Sequence, residues 1–73
     1  MTATEAKERF TATLNAMHVA AFMYTIEAEV YDTGIGVVRA TNANGTTIKA
    51  YWHGDDFTEW EMIVPVVGKE GNE

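Results

Sequence analysis

The hydrophobic spacing of this chain changes period once, at Phe22, and that change limits the folds open to it. Before it, Phe10, Leu14, Met17 and Ala21 recur at i, i+4, i+7 and i+11, with Ala3 and Ala6 extending the stripe, as on one face of an α-helix. After it, Phe22, Tyr24, Ile26, Ala28 and Val30 alternate with Met23, Thr25, Glu27, Glu29 and Tyr31, the pattern of a strand with one buried and one wetter side. A helix followed by strands predicts an α+β fold.

Punctuation refines this reading. Thr2 and Glu5 form a capping box, in which hydroxyl and carboxylate each take a backbone N–H left unpaired at a helix start, so helix is predicted over residues 2–20. Thr33-Gly34 closes the first strand onto a second at 35–41. Asn44-Gly45 predicts a two-residue type I′ turn with positive φ at both positions, leading to a strand at 46–53. These turns pair Val30 with Val37, Ala28 with Arg39, Arg39 with Ala50, and Val37 with Trp52. The side under the helix would then carry Ile26, Ala28, Val30, Val37, Ile48, Ala50 and Trp52. Arg39 falls on that side too, where its guanidinium would have to snorkel to the rim or meet a carboxylate.

Beyond Asp56 the spacing is ambiguous. Phe57, Trp60, Glu61 and Val64 suit a helix, whereas Trp60, Met62, Val64 and Val66 suit a strand; the β-branched run before and after Pro65 favours a strand at 58–64. The expectation is an N-terminal helix packed on one face of an antiparallel three- to four-stranded β-meander. It forms a single domain, with helix at 2–20, sheet at 22–67 and a polar tail at 68–73.

Composition narrows the chemistry. With no Cys, Ser or Gln, the chain lacks the usual acyl-transfer nucleophiles, disulfides and cysteine-bound zinc. His53-Gly54-Asp55-Asp56 is the nearest approach to a metal or acid–base cluster. It lacks the spaced ligands of a calcium loop and the paired histidines of a zinc site, so it reads as a polar connection. Neither catalytic residues nor a cofactor or metal is expected. Eleven acids against five bases give a net charge of -6, which opposes direct binding to nucleic acid or an anionic membrane. The longest apolar run spans about five residues against the roughly 20 of a membrane helix, and the N-terminus lacks the layout of a secretory signal. A cytoplasmic protein is expected.

One helix cannot cover both faces of a sheet. The pairing above assigns Glu27, Glu29, Tyr31, Val38, Ala40, Lys49, Tyr51 and His53 to the open face, joined by Glu59, Glu61 and Ile63 from a fourth strand. Carboxylates among tyrosine rings suit a basic protein surface, because the acids pair with Lys or Arg while the rings supply contact area with a polar tip. The candidate partner-binding residues are therefore Glu27, Glu29, Tyr31, Tyr51, His53, Glu59 and Glu61.

In its size, acidity, single domain and lack of a catalytic set, the chain resembles the broad class of small phage or mobile-element proteins that inhibit host machinery by binding it, anti-CRISPR proteins among them. The resemblance is of general character and carries no site residues. It implies a non-enzymatic inhibitor that occupies a basic surface of a partner protein, including one that normally holds nucleic acid. The alternative is a self-associating structural or assembly subunit, a homo-oligomer. Less favoured is a small metal-dependent enzyme built on His53, Asp55 and Asp56.

Overall fold

A computed structural model describes residues 1–65; the predicted tail at 68–73 and the end of the predicted sheet at 66–67 lie outside them. The elements are α1 (Ala3–Ala16), a 3₁₀ turn (Ala21–Met23), β1 (Tyr24–Asp32), β2 (Ile35–Asn42), β3 (Thr47–His53) and β4 (Asp56–Ile63). The strands form one antiparallel sheet in the order β1-β2-β3-β4, with α1 packed on one face. The α+β meander expected from the periodicity is what the chain forms, and the ambiguous fourth segment is a strand.

The helix opens as its sequence dictates. Thr2 Oγ1 accepts from the Glu5 N–H at 3.1 Å, and Glu5 Oε1 accepts from the Thr2 N–H at 2.9 Å. That backbone hydrogen bond is the main cause holding the Glu5 carboxyl below its ordinary pKa.

The helix ends at Ala16, not near residue 20. His18 adopts φ 65° and its N–H bonds to the Asn15 carbonyl at 3.0 Å, while the Val19 N–H reaches the Leu14 carbonyl at 2.9 Å. This is a Schellman closure with histidine in the left-handed position that glycine usually fills. Phe22, placed by alternation on the buried side, instead lies in the 3₁₀ turn and is 88% exposed.

The register corrects a second expectation. Asn44-Gly45 is not a type I′ turn, because only Gly45 has positive φ, at 88°. The Gly45 N–H bonds to the Asn42 carbonyl at 3.0 Å, and Asn42 Oδ1 accepts from the N–H groups of Asn44 at 2.9 Å and Thr46 at 3.0 Å. Asn42 thereby organises a three-residue loop with glycine in the bulge position. Across the sheet, Thr33-Gly34 is the two-residue turn expected, but β1 bulges between Val30 and Asp32. Each irregularity shifts β2 by one residue relative to the simple reading, and a one-residue slip turns every side chain over. The faces of β1 and β3 stand as expected, whereas that of β2 is inverted.

Consequently Val38 and Ala40, expected on the open face, are fully buried under α1, and Val37 and Arg39 lie on the open side. Arg39 needs no snorkelling, because it sits opposite Glu27 and Lys49. The helix-side rows run Ile26–Ala40–Ile48–Met62, then Ala28–Val38–Ala50, then Val30–Gly36–Trp52–Phe57. Alanines in the middle let α1 approach closely, and Ala6, Phe10 and Leu14 are fully buried against them. A side chain at Gly36 would come within 2.4 Å of the Trp52 indole, so glycine there is the slot in which that ring lies. Met17, expected in the core stripe, and Val30, expected under the helix, are 53% and 48% exposed.

Candidate functional site

The open face is ordered in rows across the strands. Nearest the β2–β3 turn stands Thr25–Thr41–Thr47–Ile63, followed by Glu27–Arg39–Lys49–Glu61, then Glu29–Val37–Tyr51–Thr58, and finally Asp32–Ile35–His53–Asp56.

The second row neutralises itself. Lys49 Nζ lies 3.3 Å from Glu61, and Arg39 reaches Glu27 at 4.0 Å. Two cations side by side between two outer carboxylates give no net charge and little stability, because exposed pairs contribute about 0–1 kcal/mol. Hydrogen bonding to Glu61 is the main cause raising the Lys49 pKa, with the field of Tyr51 next. The ammonium also sits 5.5 Å from the centre of the Tyr51 ring, a cation–π distance.

The last two rows carry three further acids, Glu29, Asp32 and Asp56. Segments 29–38 and 50–60 contain Glu29, Asp32, Asp55, Asp56 and Glu59 and no Lys or Arg. The Tyr31 and Tyr51 ring centres lie 6.4 Å apart among them. Val37, between Glu29 and Tyr51 in the ladder, is 1% exposed although it lies outside the core beneath α1. Its cover therefore comes from this face, whose aromatic end is packed. The two turns at this end are tied by the Gly54 N–H to the Gly34 carbonyl at 2.7 Å, and the Met1 ammonium donates to the Gly54 carbonyl at 3.1 Å.

Of the seven candidate residues, Glu29, Tyr31, Tyr51 and His53 gather at this end. Glu27 and Glu61 belong to the neutral row. Glu59 occupies a β4 bulge with φ 54° and has no ladder partner. Sequence reasoning weighed Asp56 only for a metal or acid–base role and left out Asp32 and Val37; the register pairs Asp56 with His53, puts Asp32 in the same row beyond Ile35, and inverts the β2 face that hid Val37. The signal for Val37 was Asn42, whose side chain sets the loop length and thus the face.

Among the described residues, no three His, Cys, Asp or Glu side chains form a grouping that could hold a metal ion, and no helix is long and apolar enough to cross a membrane. The class defined is an α+β domain with one helix-covered and one open sheet face, the latter acidic and tyrosine-bearing at one end. No protein-family model, no curated protein and no solved structure matches the chain.

Proposed function

We propose that this chain is a non-enzymatic binding module whose acidic, tyrosine-bearing sheet end occupies a basic surface of a partner protein, in the manner of the small phage inhibitors it resembles. The observation that carries the reading is the partition of charge on the open face. The central row cancels internally, whereas Glu29, Asp32 and Asp56 share the far end of the face with the Tyr31–Tyr51 pair, with no Lys or Arg in their segments. The tyrosine pair supplies contact area with a polar tip, and the carboxylates steer and pair with Lys or Arg. Blocking would follow from steric overlap and charge complementarity, with no chemical step.

The test is capture from host lysate by the parent and by a Glu29→Lys/Asp32→Lys variant, compared by quantitative mass spectrometry. A basic-surfaced protein should be retained by the parent and lost by the variant, while circular dichroism shows an intact fold. Tyr51→Ala should weaken capture as well, and salt should slow association more than it speeds dissociation. Equal capture by parent and charge-reversed protein would refute the reading.

A further inference from the structure

The opposite end of the molecule has a different composition. Segments 10–26, 40–48 and 62–65 contain no Asp, Glu, Lys or Arg; every charged residue among the described ones lies elsewhere. The fold gathers the ends of these segments. A side chain at Gly45 would lie 3.2 Å from Pro65, and an open hollow of about 370 Å³ is lined by Val19, Ala20, Met23, Tyr24 and the β2–β3 turn. Large apolar side chains stand in solvent at this end. Phe22 is 88% exposed and Met62 62%, with Met17, Met23 and Val64 also exposed.

From these observations we infer that this apolar end is a homodimer interface, occupied by the same end of a second copy. Area is the first argument. These side chains together offer several hundred Å², of the order of the roughly 800 Å² per partner that a stable interface buries. Shape is the second: a two-fold contact needs knob and hole within one patch, and Phe22 stands beside the hollow lined by its neighbour Met23.

Charge selects the occupant. Two copies that each carry -6 repel one another unless their acids stay well beyond a Debye length of about 8–10 Å. Among the described residues, end-to-end contact through this patch keeps Asp32, Asp55 and Asp56 at the far ends of both sheets, and the nearer carboxylates Glu27 and Glu61 are paired with Arg39 and Lys49. An anionic membrane is repelled by the net charge and finds no unpaired Lys or Arg among the described residues here. A basic partner finds among them only Glu61, which borders Met17 and Met62 and is already paired with Lys49. The inference is independent of the proposed partner-binding reading, and its consequence is a two-ended molecule with an acidic face at each pole.

The test is sedimentation velocity of the full chain over a micromolar to millimolar series, with circular dichroism on every variant. The parent should pass from the 8.1 kDa monomer to twice that mass. Phe22→Glu should weaken the dimer by about thirtyfold or more, as loss of an interface anchor does. Met23→Glu should act in the same direction, and Glu29→Lys should leave the dimer unchanged. Added salt should not dissociate it. A parent that stays monomeric throughout would overturn the inference, as would a dimer that survives Phe22→Glu/Met23→Glu with the fold intact. Binding of the monomeric parent to phosphatidylcholine vesicles, abolished by Phe22→Glu, would overturn it in favour of a lipid surface.

Discussion

Gly36→Ala is the sharpest test of how the two sheet faces are separated. Gly36 pairs with Trp52 on the helix side, and an added Cβ would lie 2.4 Å and 2.5 Å from two indole carbons and 2.5 Å from the Glu29 carbonyl oxygen. The ring is fully buried and the carbonyl is backbone, so neither can yield without moving the core or the β1–β2 ladder. Overpacking of this kind costs about 1–3 kcal/mol or more. Alanine recovers about 0.4–1 kcal/mol through the unfolded chain, which leaves a net loss of about 2 kcal/mol. A domain of this size has about 0.05–0.15 kcal/mol of stability per residue, so the loss is a large share of the total. It should lower Tm by roughly 8–16 °C and bring down the urea midpoint in proportion. The companion measurement is a double-mutant cycle with Trp52→Phe, whose smaller ring relieves part of the collision, so the two changes should be less than additive. A Gly36→Ala protein within about 0.5 kcal/mol of the parent, the range of ordinary surface changes, would refute the slot and the β2 face assignment resting on it.

Two further outcomes follow from the helix ends. His18→Gly should stabilise the fold by about 0.5–1 kcal/mol, since glycine takes the left-handed Schellman position without the Cβ penalty; thermal melts check this, and a loss of stability would argue against φ 65° at His18. The Glu5 carboxyl is lowered from its ordinary value of 4.5, so its contribution is fully present above that pH and is lost as pH falls through the depressed folded value. Urea midpoints of parent and Glu5→Ala should differ at neutral pH and converge in acid, whereas a gap constant with pH would exclude the capping-box carboxylate as its source.

The sequence yielded the elements more readily than their faces. The capping box at Thr2 and Glu5, the Phe10 and Leu14 stripe, and the alternation in β1 and β3 are local patterns, and each is visible in one window of residues. The face of β2 is not local, because it depends on two one-residue insertions at opposite ends of the strand. One is the bulge before Asp32 and the other the loop organised by Asn42. Arg39 between two alanines was the warning, since an unpaired cation on a helix-covered face conflicts with every other residue there. The helix end was hidden because histidine rather than glycine fills the left-handed position. For the candidate site, Glu29, Tyr31, Tyr51 and His53 were legible by alternation alone. The neutralising row was not, because it requires the register of all four strands.

The bulges also bear on solubility over time. Both outer strands are interrupted, β1 between Val30 and Asp32 and β4 at Glu59, and both carry carboxylates. An unbroken outer strand is a template on which further chains add, and stacked addition of that kind grows fibrils. Here the added residue twists each edge out of line and leaves a charged side chain beside it. On β4 a newcomer would meet only short runs on either side of the interruption, whereas β1 runs unbroken from Tyr24 to Val30 and is guarded there by Glu27 and Glu29. Glu59 in the left-handed region therefore stands as a growth terminator on the β4 edge, in a chain whose alternating β segments would otherwise favour extension there.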